Sequence, residues 1–409
     1  MREFALERVD DAVEALRRSQ AQPPTDAHVR AATQYLAGGT NLLDLMKLDV
    51  MRPERVVDIS RLREHFGRVQ LLEDGLWLGS HATMRQAGDD ASVRRDYPVI
   101  ADSLWQAASP QIRNMATLAG NVLQRTRCNY FRDTSWGACN KREPGTGCAA
   151  LEGCNRRLAV LGVSDHCIAS YPGDFAQALV ALGAEVSTLA PDGTARNLPF
   201  EELHRAPGET PDIETILVPG ELITGFKVPA GPWTRRSRYV KVRDRASYDF
   251  ALASAAVALD LDGRRVVTAR IALGGIATVP WRSRAAEQAI EGRKLDEASA
   301  RGAAEAALAD AVGTARMRSR SNWANEHWCA RCWKPQTWRS RHERPHRPAT
   351  YPHRRPRQGH GTRPLPFGRG GEEPGLGVPA DQGHRQGTDQ IVRSRRSVAA
   401  PRRARHPHA

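Results

Sequence analysis

The 409-residue sequence has no long apolar run and few aromatic residues. A helix needs roughly 18 consecutive apolar residues to span a membrane, and no stretch approaches that length. The first residues, MREFALERVDDAVEALRR, lack the apolar stretch and small-residue cleavage site of an export signal. The sequence therefore argues against a membrane-spanning protein with its own signal. Its length allows two or three domains, each with a hydrophobic core.

The net charge of +14 comes from the C-terminal tail and not from the rest of the chain. Residues 1–315 contain 39 Lys and Arg against 40 Asp and Glu, whereas residues 316–409 contain 21 against 6. Because 20 of those 21 basic residues are Arg, and 11 of the 26 prolines also lie there, the tail differs in composition from the rest. All of the excess basicity belongs to the tail.

The tail also lacks any helical or strand periodicity, so we expect residues 316–409 to be disordered. One interpretation is a basic segment that binds nucleic acid. We favour another, in which residues from about 315 onward are a frameshifted reading of a GC-rich gene. Regular patterning stops at Gly313-Thr314, and Arg, Pro, His and Trp dominate from there.

The remaining sequence divides near VPAGPWTRR, at residues 228–236. Before this loop, short strands such as TQYL and VVDIS alternate with helical segments, and an irregular Cys-bearing stretch runs from about 125 to 155. After it, RYVKVRD, ASAAVALDL and RVVTARIALGG have the β-branched and alternating composition of strands. Two Ala-rich helical segments follow. This order predicts a small α+β domain after a larger one.

Two glycine-containing turns are candidate ligand sites, although neither has the three-glycine spacing of a Rossmann motif. In Leu36–Asn41 (LAGGTN), glycines would let the backbone approach a ligand, and the amides opening the next helix would suit a pyrophosphate. Thr117–Asn121 (TLAGN) again offers a hydroxyl, a glycine and an amide. The alternative is that both are ordinary junctions between elements.

Five of the seven cysteines lie within 40 residues, at positions 128, 139, 148, 154 and 167. The paired knuckles typical of zinc sites are absent from this group, and its wide spacing suits a cubane whose four irons each bind one thiolate. An iron–sulfur cluster, a zinc site and unliganded thiols all remain possible from spacing alone. The other two, Cys329 and Cys332, form a CxxC without the strand–helix frame of a redox motif.

Four segments in order, AGGTNLLDLMK, QIRNMATLAGN, ASYPGDFAQALVALGA and YVKVRDRASYDFALASAAVAL, resemble the FAD-binding subunits of the xanthine dehydrogenase, or molybdenum hydroxylase, family. The resemblance covers about residues 1–310. It implies an α+β protein with a vanillyl-alcohol-oxidase-like (PCMH-type) FAD-binding domain of two subdomains at 1–228. A CO-dehydrogenase-flavoprotein-like C-terminal domain follows at 234–315, shortened by the loss of a closing helix.

The resemblance also implies a set of FAD-binding residues. Around the diphosphate they are Leu36, Ala37, Gly38, Gly39, Thr40, Asn41, Leu42 and Leu43, and the second wall is Ala107, Ala108, Thr117, Gly120 and Asn121. Asp174 would contact the cofactor, Ile223 would pack on the flavin, and Lys241 would stabilise an anionic reduced flavin from its edge. Taken singly, Asp174 would be a helix N-cap and Lys241 a surface lysine. Ala119 stands where many relatives have a second glycine.

The segment RCNYFRDTSWGACNKREPGTGCAALEG looks like a loop that carries a 4Fe-4S cluster in two groups of relatives. These are the flavin subunits of bacterial periplasmic aldehyde oxidoreductases and of benzoyl-coenzyme A reductases. The resemblance implies Cys128, Cys139, Cys148 and Cys167 as the metal ligands, within a loop at about 125–167. Cys154 would be a spare thiol, because relatives have an aromatic residue at that position.

The function implied by the resemblance is electron transfer within a molybdenum-containing aldehyde or xanthine-type dehydrogenase. The chain would hold FAD and the 4Fe-4S cluster, receive electrons from a partner's 2Fe-2S centres and pass them to an external acceptor. The implied partners are a molybdenum-cofactor large subunit and a 2Fe-2S small subunit, forming a heterotrimer without nucleic acid or membrane. We expect co-export to the periplasm with a signal-bearing partner, or otherwise a cytoplasmic location.

Residues 1–315 contain no obvious Ser/His/Asp constellation or pair of catalytic carboxylates, so we predict that the chain has no catalytic residues. Two other functions are considered. A free-standing flavin oxidase of the same superfamily would need a base over the flavin, such as His81 or Tyr248. A zinc-stabilised nucleic-acid-binding protein would use the basic tail.

Overall fold

The computed structural model describes residues 1–20 and 27–312. The predicted frameshifted tail and the Cys329–Cys332 pair lie outside these residues. The described strands are β1 (Ala5–Arg8), β2 (Thr33–Leu36), β3 (Arg55–Asp58), β4 (Val69–Leu72), β5 (Gly75–Gly79), β6 (Glu185–Leu189), β7 (Ala195–Pro199), β8 (Leu222–Pro229), β9 (Ser237–Val242), β10 (Ala253–Asp262), β11 (Arg265–Gly274) and β12 (Trp281–Arg282). The described helices are α1 (Ala12–Ser19), α2 (Leu42–Lys47), α3 (Arg63–Phe66), α4 (Met84–Asp89), α5 (Ala91–Asp96), α6 (Pro98–Gln106), α7 (Pro110–Met115), α8 (Leu118–Val122), α9 (Asn129–Arg132), α10 (Phe175–Leu182), α11 (Arg284–Ile290) and α12 (Glu297–Ala307).

The first layer is a parallel three-stranded sheet in the order β1-β3-β2. Parallel strands need crossover connections, and here α1 lies in the connection from β1 to β2 and α2 in the connection from β2 to β3. Asp11 starts α1 by accepting a hydrogen bond from the Glu14 amide at 2.8 Å. Since β2 pairs with β3 and runs directly into the LAGGTN turn, this sheet fixes where the glycines stand.

The second layer is an antiparallel five-stranded sheet in the order β4-β5-β8-β6-β7. The helix α10 is buried along its whole length, and Gly183, with φ +66°, ends it in the left-handed conformation. A large core joins this sheet to α4, α6 and α10, with Phe175, Phe200 and Phe226 among its fully buried side chains. The segment before residue 230 thus has two sheets, each with its own helices.

The third layer is an antiparallel sheet in the order β12-β11-β10-β9, with α11 and α12 following it in the chain. β10 is buried on both faces over its first seven residues, because α10 packs against the sheet on one side and a second core lies on the other. A capping box between Asp296 and Ser299 begins α12. The α+β class predicted from the sequence is confirmed.

Two segments have more helix than the sequence patterns indicated. The stretch SPQIRNMATLAGNV forms α7 and α8, because Ser109 and Thr117 cap them through hydrogen bonds from Ile112 and Gly120 at 3.2 Å each. The stretch 125–155 contains one helical turn, α9. Among the described residues, no helix is long and apolar enough to cross a membrane.

Candidate functional site

A cavity of about 580 Å³ opens beside the glycine turn. Its walls come from β2 and the turn after it, from α8 and the residues that follow, and from the segments 204–205, 214–223 and 278–279. Cavities of roughly 300–1,000 Å³ are the usual size of cofactor and small-molecule sites. The cavity is therefore large enough to be a cofactor site and is lined by segments from across the chain.

Gly38 and Gly39 make this wall of the cavity possible in different ways. A Cβ on Gly38 would stand 2.1 Å from the Met115 carbonyl oxygen, so only glycine allows the turn to pack against the end of α7. Gly39 has φ +72°, where non-glycine residues are rare. The LAGGTN turn thus needs one glycine for close backbone approach and one for conformation.

Asn41 begins α2, but its side chain makes no capping bond to that helix. Its Oδ1 instead accepts the Arg125 amide at 3.2 Å, tying the turn to the start of the cysteine-bearing loop. The Nδ2 of Asn41 is buried without a partner, as is the Oγ1 of Thr33, and both residues line the cavity. Buried polar atoms without partners are costly unless a ligand satisfies them, so they fit a polar cofactor.

The structure brings nine of the sixteen predicted FAD-binding residues together around the cavity: Ala37, Gly38, Gly39, Thr40, Asn41, Leu42, Thr117, Gly120 and Ile223. The other seven do not line it: Leu36, Leu43, Ala107, Ala108, Asn121, Asp174 and Lys241. Leu36 and Leu43 pack into the core beneath Gly39. Contact between any of these residues and the flavin stays a prediction.

Asp174 and Lys241 form a buried ion pair. Lys241 Nζ lies 2.7 Å from one carboxylate oxygen, and the Tyr239 hydroxyl donates to the other at 2.6 Å. Asp174 occupies the N-cap position of α10, but its side chain makes no capping bond to that helix. Lys241 is only 5% exposed and is therefore not the surface lysine expected of the residue taken singly. Burial and the neighbouring Asp174 carboxylate raise the pKa of Tyr239 well above its ordinary value, which keeps this donor protonated.

Replacing Lys241 with Met should lower the free energy of unfolding by about 3 kcal/mol, because it leaves the Asp174 carboxylate buried without its cation. The matched control is Lys227→Met, which breaks an exposed pair with Asp74 and should change stability far less, because solvent screens that pair. Urea denaturation with FAD removed from both variants measures the difference. Equal losses would show that the buried pair contributes no more than the surface pair.

Sequence reasoning missed a partly buried charge cluster at the cavity wall. Glu214 accepts hydrogen bonds from Arg125 through Oε2 and from Lys141, at 3.0 Å, through Oε1. Lys141 also donates to the Pro211 carbonyl at 2.9 Å. Two cations therefore share one carboxylate where little water reaches them. These residues come from separate loops, and no local pattern marks them in the sequence.

Two histidines line the same cavity. Nε2 of His204 is 3.1 Å from the Val122 carbonyl and must donate to it, which leaves the buried, unpartnered Nδ1 as a hydrogen-bond acceptor. Nδ1 of His81 lies 2.8 Å from the Ser80 hydroxyl. Burial lowers the pKa of each to about 4, so both rings are neutral at physiological pH. Tyr248, the other base considered for a flavin oxidase, is 54% exposed and does not line the cavity.

Four of the five clustered cysteines surround a second, small cavity: Cys128, Cys139, Cys148 and Cys167. No disulfide joins them. Cys139 and Cys148 face one another as an isolated antiparallel bridge, and Cys154 stands apart on the surface. Asp44 of α2 anchors the loop by pairing with Arg127 and Arg132 at 2.9 and 2.8 Å. The residues predicted as metal ligands thus share one site.

This second site fits a cluster by its donor set. Burial raises the pKa of the Cys128 thiol to about 12 and also raises the pKa values of Cys139 and Cys167, so a metal would bind by displacing their protons. Among the described residues, no three His, Cys, Asp or Glu side chains meet where a single ion would sit. The cavity measures about 10 Å³, enough for about one water, so the thiols must open outward around a larger group.

Solved structures with this fold include CO dehydrogenases. The chain matches carbon monoxide dehydrogenase from Hydrogenophaga pseudoflava with a TM-score of 0.60 and 21% identity, over 80% of this chain and 96% of that one. A reconstituted CO dehydrogenase from Oligotropha carboxidovorans matches with a TM-score of 0.60 and 22% identity, over 81% and 100%. At this identity the likeness establishes the fold. It defines an α+β protein with a glycine-lined cavity of cofactor size.

Sequence relatives identify the cofactor and the family. Residues 4–231 match the FAD binding domain in molybdopterin dehydrogenase, and residues 238–323 match the CO dehydrogenase flavoprotein C-terminal domain. The aldehyde oxidoreductase FAD-binding subunit PaoB of Escherichia coli is 45% identical over 288 residues, 70% of this chain and 86% of that protein. The carbon monoxide dehydrogenase medium chain of Afipia carboxidovorans is 28% identical over 64% of this chain and 73% of that protein. The chain belongs to the FAD-binding molybdopterin dehydrogenase family and is an FAD-dependent oxidoreductase subunit.

Proposed function

We propose that the chain is the electron-transfer subunit of a molybdenum-containing aldehyde or xanthine-type dehydrogenase. In this proposal it binds FAD in the large cavity and a 4Fe-4S cluster through Cys128, Cys139, Cys148 and Cys167. It receives electrons from a 2Fe-2S partner subunit and delivers them to an external acceptor. The observation that carries the proposal is that the flavin-sized cavity and the four-thiol cavity share a wall formed by Lys141 and Ala169.

The residues around each cavity suit these roles. The LAGGTN turn, with Asn41 and Thr33, offers backbone and side-chain groups to a cofactor carrying a diphosphate. Bound FAD would supply the redox chemistry, while the protein positions it and adjusts its surroundings. The four thiols are the ligand type that iron–sulfur clusters require. Relatives named as aldehyde oxidoreductase and xanthine dehydrogenase FAD-binding subunits support the substrate class.

The partners and location belong to the same proposal. A molybdenum-cofactor large subunit and a 2Fe-2S small subunit would carry out substrate oxidation, and this chain would receive the electrons. Export in the folded state with a signal-bearing partner would place the complex in the periplasm.

The proposal is tested by following flavin absorbance of the chain purified without air. An aromatic aldehyde added to the chain alone should leave the flavin oxidised, whereas the same aldehyde should bleach it when the molybdenum and 2Fe-2S subunits are co-purified. Bleaching of the isolated chain by aldehyde would instead establish a free-standing flavin oxidase. His81→Ala would then show whether His81 takes part, since of the two bases named from the sequence, His81 and Tyr248, it is the one that lines the cavity.

A further inference from the structure

Lys141 lies where the two cavities meet. Among the described residues, Lys141 and Ala169 line both cavities, and of these two Lys141 carries a charge. Lys141 lies beside the cysteine cavity because it directly follows Cys139 and Asn140 in the sequence. Asn140 fixes this segment by accepting the Gly147 amide at 2.8 Å and donating to the His166 carbonyl at 3.2 Å.

The Lys141 ammonium is held in place and shielded from water. Its side chain is 12% exposed, and Nζ bonds both Glu214, at 3.0 Å, and the Pro211 carbonyl, at 2.9 Å. Arg125, only 7% exposed, bonds the other oxygen of Glu214. Among the described side chains of this cluster, two cations with little exposure face one carboxylate, which leaves a net positive charge beside the cysteine cavity. A charge in such a place acts more strongly than one in water, because the surroundings screen it less.

We propose that Lys141 is a positioning residue. It is a fixed cation, largely shielded from water, between the flavin cavity and the cysteine cavity. Its charge raises the reduction potential of the metal cluster that the cysteines hold. This inference rests on the cluster proposed above. Reduction brings one electron, and therefore one negative charge, into the site from an external reductant. A neighbouring cation stabilises that added charge, and net charge near a cluster is one of the factors that set its potential.

The carboxylate does not cancel this effect. Glu214 remains paired with Arg125 when Lys141 is neutralised, so the local net charge falls by one unit without leaving a buried anion alone. Folding should therefore tolerate Lys141→Met, while Lys141→Arg keeps the charge and changes the shape. Lys294→Met, at an exposed lysine of the C-terminal domain that lines neither cavity, removes the same charge and serves as the control.

The test is a potentiometric titration of the full chain purified without air, with the cluster followed by electron paramagnetic resonance and iron measured on each protein. Lys141→Met should have a clearly more negative midpoint potential than the wild type, while Lys141→Arg and Lys294→Met should match the wild type. If Lys141→Met instead loses iron, the iron content of Lys141→Arg decides the outcome. Iron retained by Lys141→Arg supports the requirement for charge, whereas iron lost from both variants contradicts it.

The two proposals fail in different ways. Iron in every protein with an unchanged midpoint potential in Lys141→Met would overturn the role of Lys141 and leave the cluster in place. Absence of iron from the wild-type chain would overturn the cluster itself, and the role of Lys141 with it.

Discussion

Replacing Gly39 with Val should abolish FAD retention. Gly39 has φ +72°, a conformation that β-branched residues essentially never adopt, and it lines the flavin cavity. A Cβ there would stand 3.0 Å from Leu43 Cδ1 and 3.2 Å from Leu36 Cδ1, and the branched side chain would obstruct approach of the backbone to the diphosphate. FAD per chain, measured after release by denaturation, should fall to background.

Gly263→Val is the matched control for backbone strain. Gly263 also has a positive φ, +58°, but it sits in the β10–β11 hairpin with no neighbouring atoms around its would-be Cβ. Gly263→Val should be destabilised by a similar backbone strain of about 1–3 kcal/mol, but it should keep its FAD. Stoichiometric flavin in Gly39→Val would refute the placement of the diphosphate at this turn.

Replacing Cys128, Cys139, Cys148 or Cys167 with Ser should remove the iron–sulfur cluster or prevent the chain from accumulating. Each thiol lines the small cavity, and a cubane needs one thiolate for each of its four irons. Ser is a poor substitute because its hydroxyl does not ionise at neutral pH. Iron and acid-labile sulfide per chain measure the outcome.

Cys154→Ser is the control, since Cys154 is exposed and does not line that cavity. It should retain the full iron content of the wild type. Iron lost from Cys154→Ser but kept by Cys167→Ser would mean that the fourth ligand is assigned wrongly. Zinc in place of iron would show that the four thiols hold a different metal.

Local patterns were sufficient to predict most of the elements. The strand–turn–helix at 33–47 and the helix–strand pair at 175–189 are where the sequence placed them, because alternation, apolar periodicity and glycine act over a few residues. The second glycine segment was read as a turn but forms α8. Its Thr117 hydroxyl caps the helix, a choice that depends on the packing of α7 and α8 rather than on the residue types alone.

The contacts that complete the site could not be read from the sequence. Asp174 and Lys241 are 67 residues apart, and nothing local shows that they pair. Arg125 meets Glu214 across 89 residues, and Lys141 joins them from a third segment. A charged residue in a loop is ordinarily solvated, so the low exposure of all three side chains is a property of the fold. The family resemblance implied which residues contact the cofactors, but it did not imply these contacts within the protein.

The central claim is that one chain holds both FAD and an iron–sulfur cluster, and the cofactor content of the protein purified without air tests it most directly. FAD, iron and acid-labile sulfide are measured on the same sample, together with its visible spectrum. The account predicts about one FAD, with about four irons and four sulfides per chain. It also predicts flavin bands over a broad cluster absorbance. A chain that lacks either the flavin or the iron would contradict it.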